Sequence, residues 1–220
     1  MQSESRDQPH PTEPFQANVE SWDRHYRRDR ARQSYPDENL VRLLRGIEPG
    51  AALDWGCGSG RHLQLLHELG FGPVCGLDSS AASIQICRER FPGAIVRQFR
   101  PPSESSPGDL RLPFDQSRFQ VIVLWGVLHY NTAALQHTML AAARNALQGG
   151  GTLLGTLRSD QDTHYQGNMD INTAPIQFFS ERECRAVLGQ HFERVELGFL
   201  ERRPVGELER RVCHWIFRCH

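Results

Sequence analysis

Short continuous apolar runs alternate along the chain with stretches in which apolar residues return every three to four positions, the pattern of buried strands separated by amphipathic helices. The runs fall at 51–53, 73–77, 119–125 and 152–157, and 94–99, interrupted by Arg97 and Gln98, reads as a further strand. Between them, Leu63, Leu65, Leu66 and Leu69 keep helical spacing up to Gly70, and Ile84, Cys87 and Phe91 do so up to Pro92 and Gly93. Leu135, Met139, Ala143, Ala146 and Leu147 follow the same rule, and Gly149, Gly150 and Gly151 are expected to end that helix. The run at 119–125 is apolar nearly throughout, as a central parallel strand covered on both faces must be. Ser180 with Glu183 reads as a capping box for a helix burying Cys184, Val187 and Leu188. Two final strands, 194–200 and 212–218, flank the charged turn ERRPVGELERR and predict an antiparallel pair. The alternation predicts an α/β fold.

Ahead of the first strand the pattern changes twice. Residues 1–16 are rich in Pro, Ser, Gln and acidic side chains without periodicity, and read as a disordered arm. Residues 17–46 read as a helical cap on a domain spanning 47–220. In it Val19, Trp22 and Tyr26 share one helical face; Pro36 then breaks the chain, and Asp37 caps a second helix with Leu40, Val41, Leu43 and Leu44 inward. Trp22 is expected to pack in the core.

Chemistry concentrates in LDWGCGSGRH, 53–62, where a glycine loop joins the first strand to the following helix. Gly56, Gly58 and Gly60 permit a tight turn and leave no side chain between the loop amides and a ligand. Asp78, at the end of the second strand, stands where a carboxylate can accept hydrogen bonds from two ribose hydroxyls. The dinucleotide fingerprint fails because Arg61 takes the place of its third glycine, and no G-x-x-x-x-G-K-[ST] occurs. Asp54 would repel a pyrophosphate but suits a ligand bearing an ammonium and a sulfonium.

At these residues the sequence resembles the class I S-adenosylmethionine-dependent methyltransferases, type 11/25-like, whose first motif runs hydrophobic-D-x-G-C-G-x-G. The resemblance implies a Rossmann-like seven-stranded sheet, mostly parallel with the last strand antiparallel, and S-adenosylmethionine as cofactor. It further implies that the glycine loop holds the methionine portion, that Asp78 holds the ribose and that Asp109 and Leu110 bind the adenine. Ser79 and Trp125 complete the expected cofactor set. The segment DLRLPFDQSRFQVIVLWGVLHY carries the family's LPF turn and fourth strand, with Gln120 where the family has Asp. The N-terminal WDRHY stretch resembles the family's cofactor-covering helices, making Tyr26 and Tyr35 lid candidates.

Trp125, Gly126, His129 and Tyr130 follow the fourth strand, at whose carboxyl end ligands of open parallel sheets collect. His129 is the candidate catalytic residue, as a general base or as an orienting group. The polar segment 158–175 leaves the fifth strand at the same edge, so Arg158, Asp160, His164 and Tyr165 join Tyr26, Tyr35 and Tyr130 as acceptor-binding candidates.

Composition narrows the partners. A net charge of −1 gives no field to draw the chain onto nucleic acid or an anionic membrane, and Asp23 and Asp29 dilute the arginine-rich stretch DRHYRRDRAR. No apolar run is long enough to span a bilayer. The six cysteines form no C-x-x-C pair and no signal region precedes them, which predicts reduced thiols in the cytoplasm and no metal site. No N/D-P-P-Y-like motif follows the fourth strand, which disfavours base methylation. The leading expectation is methyl transfer to an O, N or S nucleophile of a small molecule. Macromolecular methyl transfer, on tRNA or protein, and a non-catalytic cofactor-binding subunit are the alternatives, and the sequence leaves oligomeric state open.

Overall fold

A computed structural model describes residues 14–28, 33–101, 110–114, 118–163 and 176–220. Asp109, His164 and Tyr165 lie outside these residues. Seven strands form one sheet in the order β3-β2-β1-β4-β5-β7-β6. β1 (Ala52–Trp55), β2 (Val74–Asp78), β3 (Ile95–Gln98), β4 (Phe119–Leu124) and β5 (Leu147–Arg158) pair in parallel. β7 (Val212–Cys219) is inserted antiparallel between β5 and β6 (Val195–Arg202). The expected sheet, with the last strand antiparallel, is the one observed.

Alternation divides each central strand between two cores. In β4, Ile122 and Leu124 join the apolar cluster that contains Leu140, Leu188 and Phe217. Val121 and Val123 face the opposite cluster, with Leu40, Leu63, Leu66 and Ile84. Each of these side chains is essentially removed from water, worth about 1.5–3 kcal/mol apiece. Helices supply the covering layers: α3 (Arg61–Glu68) and α4 (Ala81–Arg90) on one face, α5 (Ala133–Ala146) and α6 (Glu181–Gly189) on the other. The starts of α4, α5 and α6 are fixed by side-chain caps from Ser80, Thr132 and Ser180, the last closing the expected capping box with Glu183, while α3 starts at Gly60 without one.

Three expectations are corrected. α1 (Pro14–Tyr26) begins three residues inside the stretch read as a disordered arm. Tyr35, read as a lid, is 86% exposed and contacts α3 only through its carbonyl. The glycine triplet does not close a helix turn before the fifth strand; β5 starts at Leu147 and contains it. Register explains why: Phe119 pairs with Leu147 and Val121 with Thr152, so three extra residues bulge from β5. Gly150 takes φ +76°, and a Cβ at Gly151 would meet the Phe119 carbonyl at 2.9 Å.

α1 lies across the carboxyl end of the sheet. Asp23 ties it there, its Oδ1 accepting from Ser80 Oγ (2.9 Å) and the Ala82 amide (3.0 Å) at the start of α4. Asn18 donates to the Tyr130 carbonyl at 2.6 Å. α2 (Glu38–Leu44) is capped by Asp37 as expected and buries Leu40 and Leu44.

Candidate active site

Strand order reverses between β1 and β4, and the crevice that such a switch point opens is where ligands bind in parallel sheets. The glycine loop crosses this crevice. The Gly56 and Cys57 amides donate to the Leu77 carbonyl at 2.6 and 2.9 Å, holding the loop against the end of β2. Gly56, Gly58 and Gly60 all have positive φ, and their faces are closely approached. A Cβ at Gly56 would lie 2.3 Å from Val127 Cγ2, and one at Gly58 would lie 2.5 Å from the Tyr26 hydroxyl.

Asp78 locks the loop. Its Oδ2 accepts from the Gly58 amide and its Oδ1 from the Ser80 amide, both at 2.9 Å. Burial raises its pKa to about 6, although both amide bonds favour the carboxylate. Asp54 behaves differently. It is 1% exposed and neither carboxylate oxygen has a hydrogen-bond partner, while His62 Nδ1 stands 3.8 Å from Oδ1. An unpaired buried carboxylate beside a glycine loop fits a ligand that brings an ammonium group. That is an observation of this fold, and S-adenosylmethionine carries such a group.

Two clefts open on either side of the loop. The first, about 710 Å³ including its open mouth, runs from Trp55, Asp78, Ser79 and Phe99 to Trp125 and Val127, under Val19, Trp22 and Tyr26 of α1. Asp78 and Ser79 give it a polar wall and Phe99 and Val127 an apolar one, which suits a nucleoside. The second, about 1230 Å³ including its mouth, lies beyond Gly56 and Trp125 and is lined by His129, Tyr130, Arg158, Arg202 and His214. Trp22, Tyr26, Gly56, Trp125, Gly126 and Tyr130 border both.

Most of the residues singled out from the sequence therefore meet at one edge of the sheet. Leu110 does not: it is buried in the apolar core and lines neither cleft, and Asp54 and Gly60 lie behind the loop without lining either. Trp22, expected in the core, instead forms the partition between the clefts, edge-on to Tyr130 at 5.0 Å. Asp160 takes its place by a backbone bond to the Phe179 carbonyl, also away from both. His214 and Arg202 were missed, because nothing in a strand near the end of the chain signals which cleft it borders. Arg158 is buried and donates from Nε to Asp162 Oδ2 at 2.7 Å, and the same oxygen accepts from the Cys213 amide at 2.8 Å.

His129, 1% exposed in the turn Leu128–Tyr130, has an Nδ1 without a partner. Burial, with His214 and Arg158 nearby, lowers its pKa to about 3, against which the Thr156 carbonyl acts only partly. An imidazole held this firmly neutral is a weak proton acceptor, so the orienting role fits it better than strong base catalysis. Among the described residues no group of three His, Cys, Asp or Glu is placed to hold a metal ion.

Comparison with known proteins agrees with this geometry. Residues 52–151 match a family model described as a methyltransferase domain. That stretch is an S-adenosylmethionine-dependent methyltransferase domain, and S-adenosylmethionine is its cofactor. A search of the curated proteins found no match. Three solved structures share the fold. One concerns the conversion of a disulfide bond into a thioacetal group during echinomycin biosynthesis, with 21% identity, TM-score 0.64 and 91% of each chain covered. A second is a chain from the complex of the Haloferax volcanii Trm112 methyltransferase activator with a methyltransferase: 16% identity, TM-score 0.66, 92% of this chain and 95% of that one. The glycopeptide N-methyltransferase MtfA with bound S-adenosylmethionine is the third, at 13% identity and TM-score 0.54, covering 82% and 92%.

Proposed function

We propose that the protein methylates an O, N or S nucleophile of a small molecule, which enters through the second cleft. The observation that carries this is the shared wall: the cleft beside Asp78 joins a second cleft at Gly56, Trp125 and Tyr130, and α1 lines both. A helix so placed suits a compact acceptor and excludes water from the junction. Residues 17–46 act as the cap and 47–220 as the transfer domain. Six free, buried cysteines suit a reducing cytoplasm, and no described helix is long and apolar enough to cross a membrane.

S-adenosylmethionine supplies, when bound, a methyl group already activated on a sulfonium. Asp54 accepts its ammonium, the loop of Gly56, Gly58 and Gly60 carries the amino-acid portion, Asp78 takes the ribose hydroxyls, and Ser79 and Trp125 complete the walls. Asp109 has the adenine role by the family resemblance. Tyr26, Tyr130 and Arg158 shape the acceptor side, and His129 receives a hydrogen bond from the acceptor through Nδ1. Positioning dominates: orientation alone can supply about 7–11 kcal/mol.

Calorimetric titration tests the cofactor assignment. The chain should bind S-adenosylhomocysteine and ignore NAD, and Asp78→Ala should weaken binding by about 1–3 kcal/mol. Tritiated S-adenosylmethionine, offered with an extract, should then label its small-molecule fraction. Label in RNA or protein would overturn the small-molecule reading, and binding only in the presence of a second chain would favour an activator-dependent enzyme.

A further inference from the structure

Taking the second cleft as the acceptor site, its charges specify more than its shape does. Among the described residues three arginines line it, Arg61, Arg158 and Arg202, against one carboxylate, Asp37. Two of these four charges are already committed. Asp37 caps α2 by accepting from the Asn39 amide at 3.0 Å, and Arg158 is paired with Asp162.

The other two are not. The Arg61 guanidinium reaches only the Tyr35 carbonyl, at 3.5 Å, and the Arg202 side chain makes no ion pair or hydrogen bond with a described residue. Burial disfavours the charge on Arg61, the carboxylates of Asp37 and then Asp54 offset part of that, and Arg202 opposes it more weakly, while Arg202 itself pairs with no described carboxylate. Beside it His214 is kept neutral by burial, Arg158 and Arg202. The imidazole therefore adds no charge and remains able to hydrogen-bond a ligand.

Position separates the two free arginines. Arg61 opens α3 directly after Gly60, at the loop end of the cleft, where the cofactor's own carboxylate belongs. Arg202 ends β6 on the far rim, across from the glycine loop and next to the strand that carries His214. We propose that the acceptor is a monocarboxylate: Arg202 takes its carboxyl group in the second cleft, with His214 alongside, while its nucleophile points toward the Gly56–Trp125 junction. A guanidinium is the side chain whose planar fork matches a carboxylate. One uncommitted arginine suits a single negative charge better than a phosphate dianion.

The inference rests on the acceptor reading of this cleft, and its test separates the two. Benzoate and benzamide share shape and differ in charge, and neither is methylated at a competing nucleophile. Titrated into the full chain saturated with S-adenosylhomocysteine, which occupies Arg61's partner site, benzoate should bind about tenfold more tightly than benzamide. Arg202→Gln should abolish that preference and leave S-adenosylhomocysteine affinity unchanged. Equal binding of the two probes, binding of neither, or a preference that survives Arg202→Gln would overturn the proposal. In parallel, hydroxy-, amino- and mercaptobenzoates offered with tritiated cofactor should take label in preference to their carboxamides. Label passing to RNA or protein instead, with the benzoate preference intact, would overturn the small-molecule reading and uphold the carboxylate site.

Discussion

The two clefts that meet at Gly56 and Trp125 share a glycine loop and differ in what faces it. The loop is made by backbone: a short run of glycines, pinned to Leu77 and locked by one carboxylate, Asp78, it gives Gly56 to the cofactor cleft and Gly56, Gly58 and Ser59 to the second. The far wall of the second cleft is made by side chains contributed from α1, the turn after β4, and strands β5, β6 and β7. A backbone site tolerates no added atoms where the chain is closely approached. A side-chain site tolerates exchange of its lining and fails when its charges lose their partners.

The largest effect expected from this contrast is at Gly58. Valine there would need φ near +53°, which a β-branched residue avoids, and its Cβ would press on the Tyr26 hydroxyl. Gly58→Val should reduce S-adenosylhomocysteine binding by at least about 100-fold in calorimetry, a loss of roughly 3 kcal/mol. The far-UV circular dichroism should stay that of the parent. Retained binding would mean that the loop is not a close-approach surface, and the contrast between the clefts would collapse.

The same contrast explains what could be read from the sequence. β1, β2, β4 and β5 were legible because buried parallel strands write themselves as apolar runs, and the glycine loop with Asp78 because backbone approach demands glycine at fixed spacing; β3, at the sheet edge, buries only Val96. The bulge in β5 was not, since a glycine triplet after a helix looks the same whether it ends a turn or lets a strand take up three extra residues. Tyr35 and Tyr26 lie nine positions apart and look equally like a lid. Only tertiary packing separates the one exposed on the surface from the one whose hydroxyl rests on Gly58. Arg202 and His214 carry no local signal, because their meeting depends on the β6–β7 register that pairs Leu200 with His214 and Arg202 with Val212.

On the second cleft the effect falls on stability rather than on binding and belongs to Arg158, which the sequence offered as an acceptor ligand and the fold commits to Asp162. Arg158→Met removes the guanidinium from buried Asp162, whose Oδ2 still accepts from the Cys213 amide, and should cost about 3–5 kcal/mol of stability in urea unfolding. Adding Asp162→Leu removes the stranded charge and should recover most of it. A single variant as stable as the parent would show that the pair does not hold the end of β5, and would return Arg158 to the list of groups free to meet a ligand.

The smallest effect separates His129 from Asp78, one group in each cleft, by the sign of their response to acid. The folded-state pKa of His129, about 3, lies below its ordinary 6.5, so the folded chain binds fewer protons than the unfolded one between those values. Its contribution is complete above about pH 6.5 and is lost as pH falls toward 3. Asp78 runs the other way: with a folded value near 6 against 3.8, its contribution is complete below 3.8 and lost as pH rises through 6. Urea unfolding at pH 7 and pH 5 should therefore show His129→Leu losing about 2 kcal/mol less than the parent over that interval. His214, lowered to about 4 for the same reasons of burial and neighbouring arginines, keeps part of the acid sensitivity in the variant. A parent and variant with the same pH dependence would place His129 in contact with water, and the neutral, orienting imidazole assigned to it would go with that result.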